Sequence, residues 1–475
     1  MSVILFKNKS SAPSSIWSAI RSVTCCVTIF VAATFTAPQA TAQTTDSIML
    51  ANLEFTASGY LAYPEPDKSV KYTKAPAGYK PFYIGHYGRH GSRYHYSADD
   101  YRYIYETLAK ADSAKALSVT GKHVLAASKI LMDIAAPRAG DLTALGARQH
   151  QGIAQRMVKN FPEVFADRKG EKGKKVNAQV DAYASTSGRC ILSMSAFLGE
   201  LRAQRPKVIV HQETGKSLMA FINTFNFDIT KDYGEIPAFK AENDKVWQNV
   251  STRNFTQTLF ADTAYVALNV DIGNLYNKMF EIAGSLQGME ENNALTILER
   301  LFTKEEKLNR WKAQNVWWYS VLGTCPLTGN DGLNTAKPVL KHILDEADKV
   351  AGTNATAKGA VPSATAATLR FGHDTAILPL AGLMQLSIAN ANVTDMTKLH
   401  QQWTDFKIIP MAANLQMVLY KAASKPVLVK FLYNEREVTA PIPCDETKLA
   451  KKEKCPAAPY YRWSDVLDFY GKILD

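Results

Sequence analysis

Pro81-Phe82-Tyr83-Ile84-Gly85-His86-Tyr87, followed after Gly88 by Arg89-His90-Gly91-Ser92-Arg93, is the stretch from which the rest of the chain can be read. The apolar run predicts a strand. The pentapeptide behind it packs two guanidiniums and an imidazole into five residues. Arginine offers five N–H donors in a planar fork that matches phosphate oxygens, and it keeps its charge at ordinary pH. A neutral histidine offers a ring nitrogen that can attack an electrophile. Gly91 permits a sharp turn or a close approach to a ligand. A nucleophile inside a dianion cradle points to phosphoryl transfer. The competing reading is a solvated basic turn. The four fixed positions R-H-G-x-R arise by chance in a chain this long roughly once in a thousand, from average residue usage.

Three further motifs follow in order. Leu142-Thr143-Ala144-Leu145-Gly146 precedes a helical pattern. Thr186-Ser187-Gly188-Arg189-Cys190 follows a strand-like run, Val180 to Ser185, and leads into a helix pattern, Ile191 to Leu198. Thr368-Leu369-Arg370-Phe371-Gly372-His373-Asp374-Thr375 ends a strand and opens the apolar helix Ala376 to Met384. From about Tyr60 to the C-terminus, the ordered set resembles the histidine acid phosphatases (branch 2 of the histidine phosphatase superfamily). The resemblance implies that His90 is the nucleophile and forms a phosphohistidine. It implies that Arg89, Arg93 and Arg189 hold the phosphate, with His373 as a further donor, and that Asp374 protonates the leaving group. Taken alone, His373-Asp374 is also what a capped helix N-terminus looks like. Arg370 reads as structural, His86 as a residue beside the pocket, and Tyr94 and His95 as rim residues. No cofactor is expected. No Cys or His spacing resembles a metal site, since His86, His90 and His95 lack accompanying carboxylates.

Alternating strand and helix patterns predict an α/β fold. Helices are expected at Asp99 to Ala111 and Ala144 to Asn160, and a strand at Pro206 to Val210. From Lys216 to Val350 the chain reads as mainly helical, with helices at Asn274 to Ala283, Ala294 to Leu308 and Ala336 to Val350. Strands return at Thr365 to Gly372, Gln416 to Tyr420 and Val427 to Tyr433. The resemblance implies a Rossmann-like α/β core with helices on both faces of the sheet, formed by residues 43–215 and 360–475. A mainly helical cap, 216–359, is inserted between them. In open parallel sheets ligands bind beyond the carboxyl ends of the strands, and His90, Arg189 and His373 each follow a predicted strand end.

Residues 1–42 read as a secretory signal: a lead with Lys7, Lys9 and Arg21, an apolar run from Val23 to Phe35, and Ala40-Thr41-Ala42 as the cleavage pattern. The apolar run is short for a membrane anchor. Export to the periplasm or the exterior is therefore expected. Cleavage would remove three basic and no acidic residues, taking the formal charge from +11 to +8. A modest positive excess suits an anionic substrate. The densest basic run, Arg168 to Lys175, lacks interleaved aromatics, so no nucleic-acid partner is expected. Cys444 and Cys455 flank a short loop and form a disulfide candidate, while Cys190 and Cys325 have no evident partner.

Leu428 to Arg436 and Arg93-Tyr94 resemble the multiple inositol polyphosphate phosphatases. That branch usually carries His-Ala-Glu, whereas His373-Asp374-Thr375 is similar to bacterial phytases and sugar phosphatases. The implied substrate is a small phosphate ester, an inositol polyphosphate such as phytate. The alternatives are a sugar-phosphate or broad acid phosphatase, or a non-catalytic binder of phosphate esters. The sequence carries no sign of oligomeric state.

Overall fold

The computed structural model describes residues 44–66, 70–169, 175–226, 228, 233–290, 295–352, 364–449 and 454–475. The expected signal segment lies outside them, as does most of the basic run after Arg168. Residues Thr44–Asp475 form one compact unit by their contacts.

The centre is strand β1, Lys80–Arg89, buried from Phe82 onward. A strand covered on both faces reads as an unbroken apolar run, which is why Pro81 to Tyr87 shows no alternation. Around it lies an eight-stranded sheet that includes β2 (Gln179–Ala184), β3 (Ile209–Thr214), β4 (Thr365–Gly372), β5 (Asn414–Lys421), β6 (Leu428–Tyr433), β7 (Arg436–Val438) and β8 (Tyr461–Arg462). The order is β8-β6-β5-β1-β4-β2-β3, with β7 beside β6. β1, β4, β2 and β3 run parallel to one another, and β5 pairs antiparallel with the other edge of β1. The strand expected at Pro206 to Val210 begins at Ile209 and runs to Thr214 as a largely exposed edge strand. It therefore lacks the buried pattern that made the central strands legible.

Helices cover both faces. On one side α3 (Ala144–Asn160) and α4 (Gly188–Gln204) pack Ile153, Met157, Phe197 and Leu201 onto Ile84, Val180 and Leu369. On the other, Tyr83 and Tyr87 meet α7 (Lys337–Ala351), α8 (Asp374–Leu383) and α9 (Trp463–Leu474).

A third core is mainly helical. It joins α1 (Ala98–Ser113) and α2 (Val119–Ile134) to α5 (Ile272–Ser285) and to Trp311 of α6 (Lys304–Leu322). The segment 216–359 is therefore shared: Phe239, Val246 and α7 belong to the core on the sheet, whereas Phe255, Leu275 and Trp311 belong to the helical one. The helix expected over Ala294 to Leu308 is not continuous. Glu299–Leu301 form a 3-10 turn, and α6 starts afresh at Lys304 because Thr303 and Glu306 close a reciprocal capping box. Cys444 and Cys455 are disulfide-bonded, and Cys190 and Cys325 are buried free thiols. Among the described residues no helix is long and apolar enough to cross a membrane.

Candidate functional site

Register brings three strand ends together. Arg89 at the end of β1 lies opposite Gly372 at the end of β4, and Ala184 at the end of β2 lies opposite Phe371. Backbone bonds stitch the loops that follow. The His90 N–H donates to the Gly372 carbonyl at 2.9 Å, the Ser185 N–H to that of Phe371 at 2.9 Å, and the Ala412 N–H to that of His90 at 2.9 Å. A side chain at Gly372 would collide with the Tyr87 hydroxyl, which itself accepts from the His373 N–H at 3.3 Å.

The loop Gly91 to Arg93 is held against α3 by two glycines. A Cβ on Gly91 would run into the backbone of Gly146, and one on Gly146 into that of Ser92. Thr143 caps α3 by accepting from the Gly146 N–H at 3.2 Å, and its hydroxyl donates to the Ser92 carbonyl at 3.1 Å. Gln149 accepts from the Ser92 N–H at 2.9 Å, and Ser193 of α4 accepts from the Gly91 N–H at 3.1 Å. Leu142 to Gly146 is thus the seat of the basic loop.

All six residues singled out in the sequence converge here. Arg89 is fully buried; its guanidinium donates to the carbonyls of Gly59 at 2.5 Å and Ile409 at 2.6 Å, and to Asp374 at 2.5 Å. Arg93 donates to the Tyr94 carbonyl at 3.0 Å. Arg189 stands on the first turn of α4. Among the described residues neither Arg93 nor Arg189 has a carboxylate partner, and the Nε of each is buried without an acceptor. Two guanidiniums with spare donors make a site that favours an anion.

The titratable groups respond to that charge. Burial, then Arg89, Arg189, Arg93 and His373, hold His90 well below the usual histidine range, so the ring is neutral. Its Nδ1 lies 2.9 Å from the Gly91 carbonyl. A carbonyl only accepts, so Nδ1 carries the proton and Nε2 keeps its lone pair. His373 is lowered to about 4, by burial first and by Arg189 next, and its Nε2 lies 2.8 Å from the Ser185 hydroxyl. The two imidazoles meet edge to face, 5.7 Å between centroids. Burial pushes Asp374 upward, but Arg89, Arg93, His373 and the Thr375 N–H outweigh it and leave the carboxyl below its ordinary value. The Cys190 thiol, pushed up to about 12 by burial, donates to the Gly372 carbonyl at 3.3 Å. It fills space beside His373 as a neutral group.

Arg370 points away from the site and bonds to His342, with 2.7 Å between its Nη2 and the ring Nδ1. His86 packs behind the sheet on Phe197 and Phe371. Tyr94 and His95 are not rim residues: both are buried, His95 completely. The partners of His95, Tyr101 and Asp100, lie on the first turn of α1, where no motif marks them. Tyr60, beside Arg93, carries no sequence signal at all.

A family model for the histidine phosphatase superfamily (branch 2) matches residues 88–434. Among solved structures, the multiple inositol polyphosphate phosphatase of Bifidobacterium longum with inositol hexasulfate is 18% identical, covering 86% of this chain and 96% of that one, at a TM-score of 0.66. The same enzyme with phosphate is 17% identical over the same shares, at 0.65. The phytase from D. castellii is 15% identical, covering 93% of this chain and 88% of its own, at 0.59. No curated protein matches the sequence. At these identities the solved structures bear on the fold.

Proposed function

The chain belongs to branch 2 of the histidine phosphatase superfamily and is a phosphomonoesterase, and from that membership we propose that His90 attacks phosphorus in an inositol polyphosphate such as phytate. The observation that carries the reading is the tautomer of His90, with the proton on Nδ1 and the lone pair on Nε2, beside two guanidiniums that have no carboxylate partner among the described residues. In the first half-reaction Nε2 bonds to phosphorus, the P–O bond to the leaving group breaks, and protonated Asp374 gives its proton to the departing oxygen. In the second, water attacks phosphorus, returns a proton to the Asp374 carboxylate, and breaks the P–N bond. Inorganic phosphate and neutral His90 are regenerated. Arg93, Arg189 and His373 hold the transferring oxygens. Fixed charges in a buried site stabilise the transition state without reorganising.

In the free protein Asp374 is a carboxylate on Arg89. A bound phosphate dianion offers its own negative charge to the arginines and so raises the Asp374 pKa toward the value a proton donor needs. The inositol preference rests on this cationic pocket and on the fold shared with an inositol polyphosphate phosphatase and a phytase. Sugar phosphates are the second reading, favoured by His373-Asp374-Thr375. Export is part of the proposal, supported by the Cys444–Cys455 disulfide. So is the division of labour in which the sheet carries the phosphate loop and the helical segment 216–359 shapes the ester's approach.

The test is phosphate release from phytate, glucose 1-phosphate and p-nitrophenyl phosphate at pH 5 with EDTA present. His90→Ala should lower kcat at least about a thousandfold, and phytate should rank first. Hydrolysis that survives His90→Ala, or that EDTA stops, would sink the histidine mechanism.

A further inference from the structure

Arg89 and Arg93 flank the same nucleophile but are held by different means. Arg89 is anchored by two carbonyls and by Asp374. Arg93 has the Tyr94 carbonyl and, on its other side, the phenol of Tyr60. The Arg93 guanidinium carbon stands 4.9 Å from the centroid of the Tyr60 ring, and its Nη1 is 3.5 Å from the Tyr60 hydroxyl oxygen. That hydroxyl is 2.8 Å from Nδ1 of His95. Nε2 of the same ring is 2.8 Å from Asp100, and the other oxygen of Asp100 is bonded by Lys278 of α5.

We propose that Tyr60, His95 and Asp100 form a hydrogen-bond relay whose function is to position Arg93 for phosphate, Tyr60 being the positioning residue. The proposal rests on the reading above in which Arg93 holds a transferring oxygen.

Directionality follows from the ends of the chain of bonds. A carboxylate only accepts, so Nε2 of His95 donates to Asp100. With the ring proton on Nε2, Nδ1 is the acceptor and the Tyr60 O–H donates to it. The lone pairs of the Tyr60 oxygen are left for the Arg93 N–H. Each bond points toward Asp100 and polarises the next. Burial keeps the phenol protonated, its pKa held above the usual tyrosine value despite Arg93.

The arrangement gives Arg93 a fixed acceptor without giving it a counter-ion. A carboxylate placed directly on Arg93 would cancel much of the charge that phosphate needs and would compete with it. Set back by two bonded groups, Asp100 exerts its pull on orientation, and Lys278 balances its charge. The His95 ring is clamped for this task. The backbone N–H of His95 donates to the Tyr101 hydroxyl at 3.1 Å, the Gly140 N–H donates to the His95 backbone carbonyl at 2.9 Å, and the Tyr96 ring lies 4.5 Å from the imidazole. A bland alternative is a buried polar network that holds α1 against the 53–60 segment. Such a network would lower stability when cut but would have no dependence on Arg93.

The test is a double-mutant cycle between Arg93→Ala and each of Tyr60→Phe and Asp100→Asn. It is read by kcat and KM on p-nitrophenyl phosphate and by calorimetric affinity for inorganic phosphate, which needs no turnover. Tyr60→Phe keeps the ring and loses one oxygen. With Arg93 present each variant should lower kcat/KM and phosphate affinity about tenfold, and with Arg93→Ala by less than about twofold. Asp100→Glu should restore most of the loss. Coupling in either cycle supports the relay; equal losses in both backgrounds, in both cycles, overturn it. If His90→Ala leaves hydrolysis intact, the reading of the whole site fails. If it abolishes hydrolysis while the cycles are additive, the relay alone fails.

Discussion

Three arginines approach one imidazole, and their partners differ. Arg89 is tied to Asp374, while Arg93 and Arg189 have no carboxylate partner among the described residues. In the proposed mechanism the pairing keeps Asp374 ionised until an anion arrives and so couples its protonation to substrate binding. Asp374→Asn should therefore cost about 100-fold or more in kcat on phytate, whose alkoxide leaving group needs a proton. The cost should be much smaller on p-nitrophenyl phosphate, whose phenolate leaves unaided. Equal losses on both substrates in steady-state assays would remove Asp374 from the acid role. For the wild type, kcat on phytate should fall as pH rises through the Asp374 value in the complex. The convergence of the six motif residues could be read from the sequence because each has a chemical type the proposed reaction demands. Tyr60 and His95 could not be read so, because a buried phenol and imidazole become a support only through contacts that the fold creates.

Among the elements, the strand ends decide where the chemistry sits, and the seat of the loop decides how firmly. The Gly91–Gly146 contact has no room for a methyl group. Gly146→Ala should lower stability by about 1 to 3 kcal/mol through overpacking. It should also lower kcat/KM at least tenfold or so, because small displacements of reacting groups are costly. A thermal melt and a rate measured together would check this, and an unchanged rate would show that the loop tolerates the shift. The central strands could be read from their apolar runs. The break near Leu301 could be read only from Thr303-x-x-Glu306, a capping signal outweighed by the helical composition around it. The 53–60 segment, whose Gly59 carbonyl receives Arg89, was illegible: it is a 3-10 run with Ser58 at φ 56°, and no periodic pattern describes such a turn.

Across the whole molecule, the side of the sheet beneath the site holds two buried histidines, His86 and His150, and among the described residues the ring nitrogens of His86 have no hydrogen-bond partner. Burial lowers His86 to about 3 and His150 to about 4. Both folded-state values lie below the ordinary 6.5, so the unfolded chain takes up these protons first. Stability is lost as pH falls from about 6.5 toward 4 and 3. His86→Asn combined with His150→Gln should move the acid-unfolding midpoint, followed by circular dichroism, to lower pH. A midpoint that stays put would assign acid unfolding to other groups.

The same sheet has a consequence for how the chain comes into being. β1 is among the earliest strands made, yet its two neighbours are β4 and β5, where Ile84 pairs with Ala367 and Val418. Until most of the polypeptide has left the ribosome, Phe82 to Tyr87 has neither edge covered, and an unpaired apolar strand recruits other chains. The proposed nucleophile, His90, thus emerges next to an apolar strand with both edges still open. Anything that shields that strand during synthesis, a chaperone or prompt delivery through a translocation channel, will govern how much active protein is obtained.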